Sequence, residues 1–384
     1  MYKHSKWQNM KILFLIFHGL SPVSGISKKI KYQMKGLEAN GHKFFFCHYE
    51  IQADGHKVRM IDDQVLEDYG KSPLAPLRKR IGYHAVLQYA RENEIGLVYI
   101  RSFHNANPFT IRFYRKLQKA GIKTVMEIPT YPYDQEYRNV PLFWKIELGI
   151  DKIFRKCMAK ALSAIVTFTD EPAIFGKETI CISNGIDFDA IPLKKDAVHP
   201  DHPIHLLAVA EVHYWHAYDR ILSGLGEYYR QPQNREVFLH IVGGLGQYEQ
   251  QLFDRLIREY NLQDRVTLYG QLQGEELDRL FDQSDFAIGS LGRHRSGIDK
   301  IKTLKNREYA ARGIPFIYSE TDEDFDRMPY ILKATPDDTP VDIREILHFL
   351  DTHSIPAQEI RESIRDLSWK TQMQKVIDHI SKEK

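Results

Sequence analysis

Short apolar runs alternate along the chain with stretches whose apolar positions recur every three or four residues. In the first half, KILFLIF (11–17), KFFFCHYE (43–50), IGLVYIR (95–101), IKTVMEI (122–128), AIVTFT (164–169) and TICISNG (179–185) predict strands. Helices are predicted at 24–42, 75–94 and 108–121, the first closing on Asn40-Gly41 and the last on Gly121. Continuously apolar strands separated by helices form parallel sheets covered on both faces.

The stretch 187–203 carries three prolines and mixed charge and marks a domain junction, with the linker placed at 191–203. Beyond it the alternation resumes. Strands are predicted at 204–210, 236–244, 265–270, 286–291 and 314–319, and helices at 217–231, 248–261, 274–284 and 304–313. The chain is mostly helical from Val341. The expected fold class is α/β, with two Rossmann-like domains facing each other across a cleft. The domains are placed at 1–190 and 204–365, with a C-terminal helix at 366–384 that is free to cross back to the first domain.

Composition narrows this only a little. At 384 residues the chain suits about two domains, and a net charge of +2 demands no nucleic acid. Cys47, Cys157 and Cys181 are odd in number and widely spaced, as in a reducing compartment. The apolar run 12–17 is too short to span a bilayer, so a cytoplasmic protein is expected, free or at the inner membrane face. His199, His202 and His205 lie around the linker and read as solvated, so no metal site and no cofactor is expected.

Candidate chemistry concentrates in GIDKIKTLKNREYAARGIPFIYS (297–319), a loop, a helix and a strand. Thr303 is placed to cap the helix, leaving the amides of Leu304, Lys305 and Asn306 to meet an anion, with the Lys305 charge beside them. Glu308 lies on the same helical face and suits ribose hydroxyls. The plain alternative is a solvated lysine run with one weak ion pair. Ser24 and Gly25, at a helix start after the first strand, offer amides to a phosphate without GxGxxG spacing. Gly243, Gly244 and Gly246 read as turn glycines or as a place of close ligand approach.

CISNGID (181–187), HIVGGLG (240–246), VTLYGQLQGEELDRLFDQSDFAIGSL (266–291) and LKNREYAARGIPFIYS (304–319) together resemble the retaining GT-B glycosyltransferases of family 4, including those of polysaccharide clusters. The resemblance implies a nucleotide-diphosphate-sugar donor on the second domain and a glycan or lipid-linked acceptor on the first. It implies transfer with retention and without a metal. It places Glu308 on the ribose, Leu304 and Lys305 on the diphosphate, and Gly270 and Gln271 on the base.

Three departures from the family pattern shape the remaining candidates. Eight positions before Glu308, with seven residues between, where the family has a glutamate, this chain has Lys300, next to Asp299; both are catalytic candidates. The usual arginine and lysine after the strand at 204–210 are missing, and Arg220, Arg293 and Arg295 are the available cations. After the strand at 122–128 a histidine is missing, leaving Glu127 as a catalytic candidate and Tyr131 and Tyr133 as sugar contacts. The resemblance leaves two rivals open, a sugar-nucleotide epimerase and an inactive sugar-nucleotide- or polysaccharide-binding protein. The amphipathic stretch 141–162 is either a core helix with a basic outer face or a peripheral membrane contact.

Overall fold

The computed structural model describes residues 9–21, 24–137, 140–195, 203–232 and 235–382. The chain forms two compact units. One comprises Met1–Ser183 with Trp369–Lys384, the other Asn184–Ser368. The junction therefore falls ahead of the proline-rich stretch, because Ile186 and Ile191 are already buried in the core of the second unit. His199 and His202 lie outside the described residues.

The first unit is built on a sheet of nine strands among the described residues: β1 (Lys11–Leu15), β2 (Lys43–Ile51), β3 (Lys57–Ile61), β4 (Gln64–Asp68), β5 (Leu97–Arg101), β6 (Lys123–Ile128), β7 (Ala164–Thr167), β8 (Ala173–Ile174) and β9 (Lys177–Cys181). Their order is β4-β3-β2-β1-β5-β6-β7-β9-β8. The run from β2 to β9 is parallel, while β3, β4 and β8 pair antiparallel at the two edges. These antiparallel strands were not predicted: they are short, and β3 and β4 interrupt their apolar residues with charged ones, although Asp54-Gly55 carries the hairpin signal.

Helices α1 (Gly25–Ala39), α2 (Ala75–Ile81), α3 (His84–Glu92), α4 (Pro108–Lys119) and α5 (Leu142–Ala159) connect these strands. The single helix expected at 75–94 is two, because Gly82 takes an extended conformation (φ −90°, ψ 115°). Ile30, Met34 and Leu37 on α1 are buried at helical spacing against the sheet.

The second unit has one six-stranded parallel sheet: β10 (Ile204–Val209), β11 (Val237–Val242), β12 (Val266–Gly270), β13 (Phe286–Ile288), β14 (Phe316–Tyr318) and β15 (Ile331–Lys333). The order β12-β11-β10-β13-β14-β15 is that of a doubly wound Rossmann sheet. Its helices are α6 (Tyr218–Tyr229), α7 (Gln247–Glu259), α8 (Glu275–Asp282), α9 (Leu304–Arg312), α10 (Ile343–Thr352) and α11 (Ala357–Ser363). Leu206 and Ala208 point to the face covered by α6, α7 and α10; Leu207 points to the face covered by α8, α9 and α11. The last helix, α12 (Trp369–Lys382), packs in the first unit. Among the described residues no helix is long and apolar enough to cross a membrane.

Candidate functional site

In a doubly wound sheet the crevice opens beyond the carboxyl ends of the strands, where the strand order reverses. Here that point lies between β10 and β13. The Tyr309 hydroxyl on α9 bolts it together, accepting from the Val209 amide at 3.0 Å and donating to the Ile288 carbonyl at 3.1 Å. The loops after β10, β13 and β14 rise from this point and bring Tyr218, Arg293, Thr303, Lys305 and Glu320 together.

These groups are notable for what they leave unused. Thr303 has the extended conformation of an N-cap but makes no capping hydrogen bond, and its buried Oγ1 has no partner. The first amides of α9 are thus not satisfied by its cap residue. Among the described residues Lys305 Nζ reaches only Ser290 Oγ, at 3.4 Å, and it sits 5.7 Å from the Tyr218 ring centroid. Burial, with Arg293 adding to it, pushes the Lys305 pKa well below the usual lysine range, and Glu320 opposes the shift. Glu320 is 2% exposed, and among the described residues neither of its carboxylate oxygens has a hydrogen-bond partner. Burial raises its pKa, against the pull of Arg293 and Lys305. Arg293 Nε and the Tyr218 hydroxyl are likewise buried and, among the described residues, unpartnered. Buried polar groups are normally paired, so such a cluster marks a place made for another molecule.

His216 stands beside this cluster, buried, with Nδ1 accepting from the His213 amide at 2.9 Å. Burial and then Lys305 and Arg293 depress its pKa, so it is neutral and carries its proton on Nε2. Behind it, Arg307 is completely buried against Asp322 and Asp324, and donates to the carbonyls of Thr303 at 3.1 Å and Asn184 at 3.2 Å. This ion pair fixes the loop after β14 to the start of α9.

Several expected site residues have structural work instead. Arg220 donates to the carbonyls of Leu291, Thr335 and Thr339, so it ties loops together and is not a free cation for a diphosphate. Arg295 grips Asp219 with two 2.8 Å bonds and Asp338 with one of 2.7 Å, so the cation offered for a donor, diphosphate or sugar, is already held by two carboxylates. Lys300 is ion-paired with Glu323, and both are about half exposed. Asp299 is exposed, and its carbonyl accepts from the Thr321 amide at 2.7 Å. The segment thus runs as a surface ladder beside residue 321.

Glu308 is half-buried and accepts from Arg312 Nε at 3.3 Å, not from Lys305 as the spacing suggested; Arg312 also holds Asp278 at 2.7 Å. Leu304 is half-buried at the first turn. Gly270 closes β12 with φ 69°, and Gln271 donates to Glu211 at 3.2 Å. A Cβ on Gly243 (φ 131°) would lie 1.6 Å from the Ala210 carbonyl oxygen, so this glycine serves close packing of two loops. A cavity of 360 Å³ opens next to the cluster, walled by Tyr214, Tyr218, Tyr248 and Phe253 with Asp219 and Arg295.

In the first unit, Glu127 is fully buried and saturated. It accepts from Gln33 (2.5 Å), Tyr99 (2.7 Å) and Arg101 (2.7 Å), with Lys29 at 3.3 Å. Its pKa falls to about 2 despite burial, because Lys29 and Arg101 hold the charged form. A carboxylate so engaged organises its neighbours and does not serve as a catalytic base. Tyr133 is buried, stacked on His104 at 3.8 Å and bonded to Asp151 at 2.5 Å, so it packs and is not open to a sugar. Tyr131 is half-buried, edge-on to Phe175 at 5.7 Å. Ser24 caps α1 through the Ser27 amide at 3.4 Å, and Gly25 has open space beside it.

No family model matches the sequence, and no curated protein sequence does. Solved structures do match it along nearly its whole length. Sucrose-phosphate synthase from Thermosynechococcus elongatus superposes with a TM-score of 0.67 at 15% identity, covering 96% of this chain and 98% of that one. HepE of Anabaena, in complex with UDP, gives 0.61 at 14% identity over 97% and 100%. The catalytic domain of starch synthase IV from Arabidopsis thaliana, bound to ADP and acarbose, gives 0.64 at 12% over 97% and 99%. The chain has the GT-B fold.

Around the GT-B scaffold the sequence reading missed several groups. Glu320 lies in the acidic run SETDEDFD, where nothing local distinguishes the buried carboxylates, Glu320 and Asp322, from the more exposed ones. Arg307 and Tyr309 flank Glu308 and signalled only helix. In the first unit, Lys79 donates to the Phe17 carbonyl at 3.0 Å and is held by burial at a pKa of about 8. His104 is driven by burial to about 4. Their spacing in the sequence carries no motif. Among the described residues no cluster could hold a metal ion.

Proposed function

We propose that this protein is a glycosyltransferase that moves a sugar from a nucleotide-diphosphate sugar to a glycan or lipid-linked acceptor. The single observation behind this is the unpartnered cluster at the α9 N-terminus, with Lys305, Arg293 and uncapped amides at the strand-order reversal. An anion is what such a site accepts. The solved relatives bound to UDP or ADP support a nucleoside diphosphate as that anion.

In this reading the diphosphate sits over the first turn of α9, between Lys305 and Arg293, with Glu308 toward the ribose and the turn at Gly270–Gln271 toward the base. The acceptor hydroxyl forms a bond to the anomeric carbon as the bond from that carbon to the phosphate oxygen breaks. The hydroxyl proton passes to the departing phosphate, and attack on the face the nucleotide leaves retains configuration, as in family 4. Lys305, Arg293 and the helix amides stabilise the charge gathering on the diphosphate without a divalent metal. Cysteines that are not joined in disulfides, two of them exposed, favour a cytoplasmic enzyme, and polysaccharide assembly is the process we assign to it.

A thermal-shift screen with UDP, ADP, GDP and their glucose conjugates tests the reading. At least one is expected to raise the melting temperature of wild type well above the shift it gives Lys305→Met, since a ligand at about 100 times its Kd adds about 2.7 kcal/mol to stability. No shift with any nucleotide overturns it. One observation favours a second reading, a protein that binds the donor without transferring it: Lys300 stands where a carboxylate is expected and is already paired. Nucleotide binding with neither transfer nor hydrolysis of the sugar would select that reading.

A further inference from the structure

Helix α5 wears its apolar residues outward. Leu142, Phe143, Ile146, Ile150 and Ile153 are between 43% and 72% exposed, and exposed Cys157 continues the same stripe. Soluble surfaces scatter such residues singly; a contiguous stripe marks a contact. Burial inside the unit falls to Leu148, Met158 and Ala159 on the opposite side.

The charges of α5 are sorted as well. Both its carboxylates face inward and are spoken for. Glu147 pairs with Arg80 at 2.5 Å; Asp151 takes the Tyr133 hydroxyl at 2.5 Å and the Ala106 amide at 2.9 Å. Its lysines are outward: Lys145, Lys152 and Lys156, with Lys160 just past the end, are all exposed. Lys152 shares Asp134 with Arg155, at 3.1 and 2.8 Å. At 100° per residue, Lys145, Lys152 and Lys156 form a row along one side of the apolar stripe. Trp144 lies at the other end of the arc, packed 5.3 Å from the Arg80 guanidinium.

We propose that α5 is a membrane-docking surface, seated in the plane of an anionic lipid bilayer with its apolar stripe at the acyl boundary and its lysine row on the headgroups. A protein partner would be met by a balanced mix of charges, whereas this face sets a row of lysines beside hydrocarbon, with Asp134 as the acid paired among them. That combination complements anionic headgroups above an apolar layer. The helix lies flat: it is not apolar enough to span, and its inward acids are tied to the unit's own core. Docking here does not depend on the donor assignment, because every residue involved is remote in sequence from the α9 cluster and belongs to the other unit.

Flotation of the whole protein with vesicles decides the matter. Wild type is expected to float with phosphatidylcholine vesicles containing roughly 30% phosphatidylglycerol, and at least about tenfold less with phosphatidylcholine alone. Raising salt to about 0.5 M should release it in part, leaving the apolar share. Ile146→Glu with Ile153→Glu should abolish flotation. Lys145→Glu with Lys156→Glu and Lys160→Glu should remove the dependence on phosphatidylglycerol. All five positions are exposed, so both variants should melt as wild type does, and circular dichroism checks this. Wild type that stays at the bottom with phosphatidylglycerol vesicles overturns the proposal. So does flotation that both variants keep. Light scattering covers the remaining occupant: a wild-type dimer that the isoleucine variant converts to monomer, without vesicle binding, would assign the face to a second copy of the chain.

Discussion

Glu127 and Glu320 are both buried carboxylates at the carboxyl ends of strands, and their surroundings send them in opposite directions. Glu127 has two cations and two further donors, so its folded pKa lies near 2 against an ordinary 4.5. The folded state therefore binds the proton less well than the unfolded chain. The stability this supplies is complete above about pH 4.5 and is lost as pH falls through 2; it amounts to about 3 kcal/mol, of which about 2 is gone at pH 3. Urea unfolding should show Glu127→Gln less stable than wild type by about 3 kcal/mol at pH 7, with the gap narrowing at pH 3. A gap independent of pH would mean the network is held by shape alone. Glu320 has no bonding partner, and burial raises its pKa instead. Beside it, Lys305→Met keeps the side-chain length and removes the charge. Isothermal titration with the nucleoside diphosphate that binds wild type best should show a loss of roughly 10- to 100-fold, the worth of a charge-assisted bond. Glu308→Gln should cost less, about tenfold, because a neutral amide oxygen still accepts from ribose. An unchanged dissociation constant for Glu308→Gln would remove it from the ribose.

At the scale of elements, one helix contact is set by a single missing side chain. A Cβ on Gly36 in α1 would lie 2.7 Å from the Trp369 carbonyl oxygen at the start of α12. Alanine is the better helix former by about 1 kcal/mol, yet here it must push a backbone away. Gly36→Ala should therefore lower the melting temperature, with a net cost of about 1–3 kcal/mol by calorimetry; a rise would show that α12 yields without loss. Nothing near Gly36 in sequence announces this, because the partner lies more than three hundred residues on. The same division runs through the rest of the fold. β1, β5 and β10 were legible because they are buried on both faces and must be continuously apolar. The hairpin β3–β4 was not, because its two short strands break up their apolar residues with Arg59, Glu67 and Asp68. The start of α9 at Thr303 could be placed because helix boundaries are local chemistry, although the capping bond expected of Thr303 does not form. Arg220 and Arg295 could not be told from free cations, because the groups that occupy them, Thr339 and Asp338, are reached only through the tertiary fold.

The whole molecule is two cores joined by two chain crossings, at 183–184 and 368–369. Each unit has its own apolar clusters and its own buried ion network, Lys29–Glu127–Arg101 in one and Arg307–Asp322 in the other. Breaking a buried pair by removing one partner costs about 3–5 kcal/mol, which is enough to mark one unit's unfolding. Calorimetry of the full chain should then resolve two transitions, one lowered by Glu127→Gln and the other by Asp322→Asn. The assignment of the donor to the second unit makes a sharp demand on this pair. A nucleoside diphosphate at about 100 times its Kd should raise the transition that Asp322→Asn lowers, by the equivalent of about 2.7 kcal/mol, and leave the other in place. Raising the Glu127 transition instead would move the diphosphate to the α1 N-terminus, where Ser24 and Gly25 are the remaining candidates. Raising both together would mean that ligand couples the two cores, and the mutants would then show which core responds first.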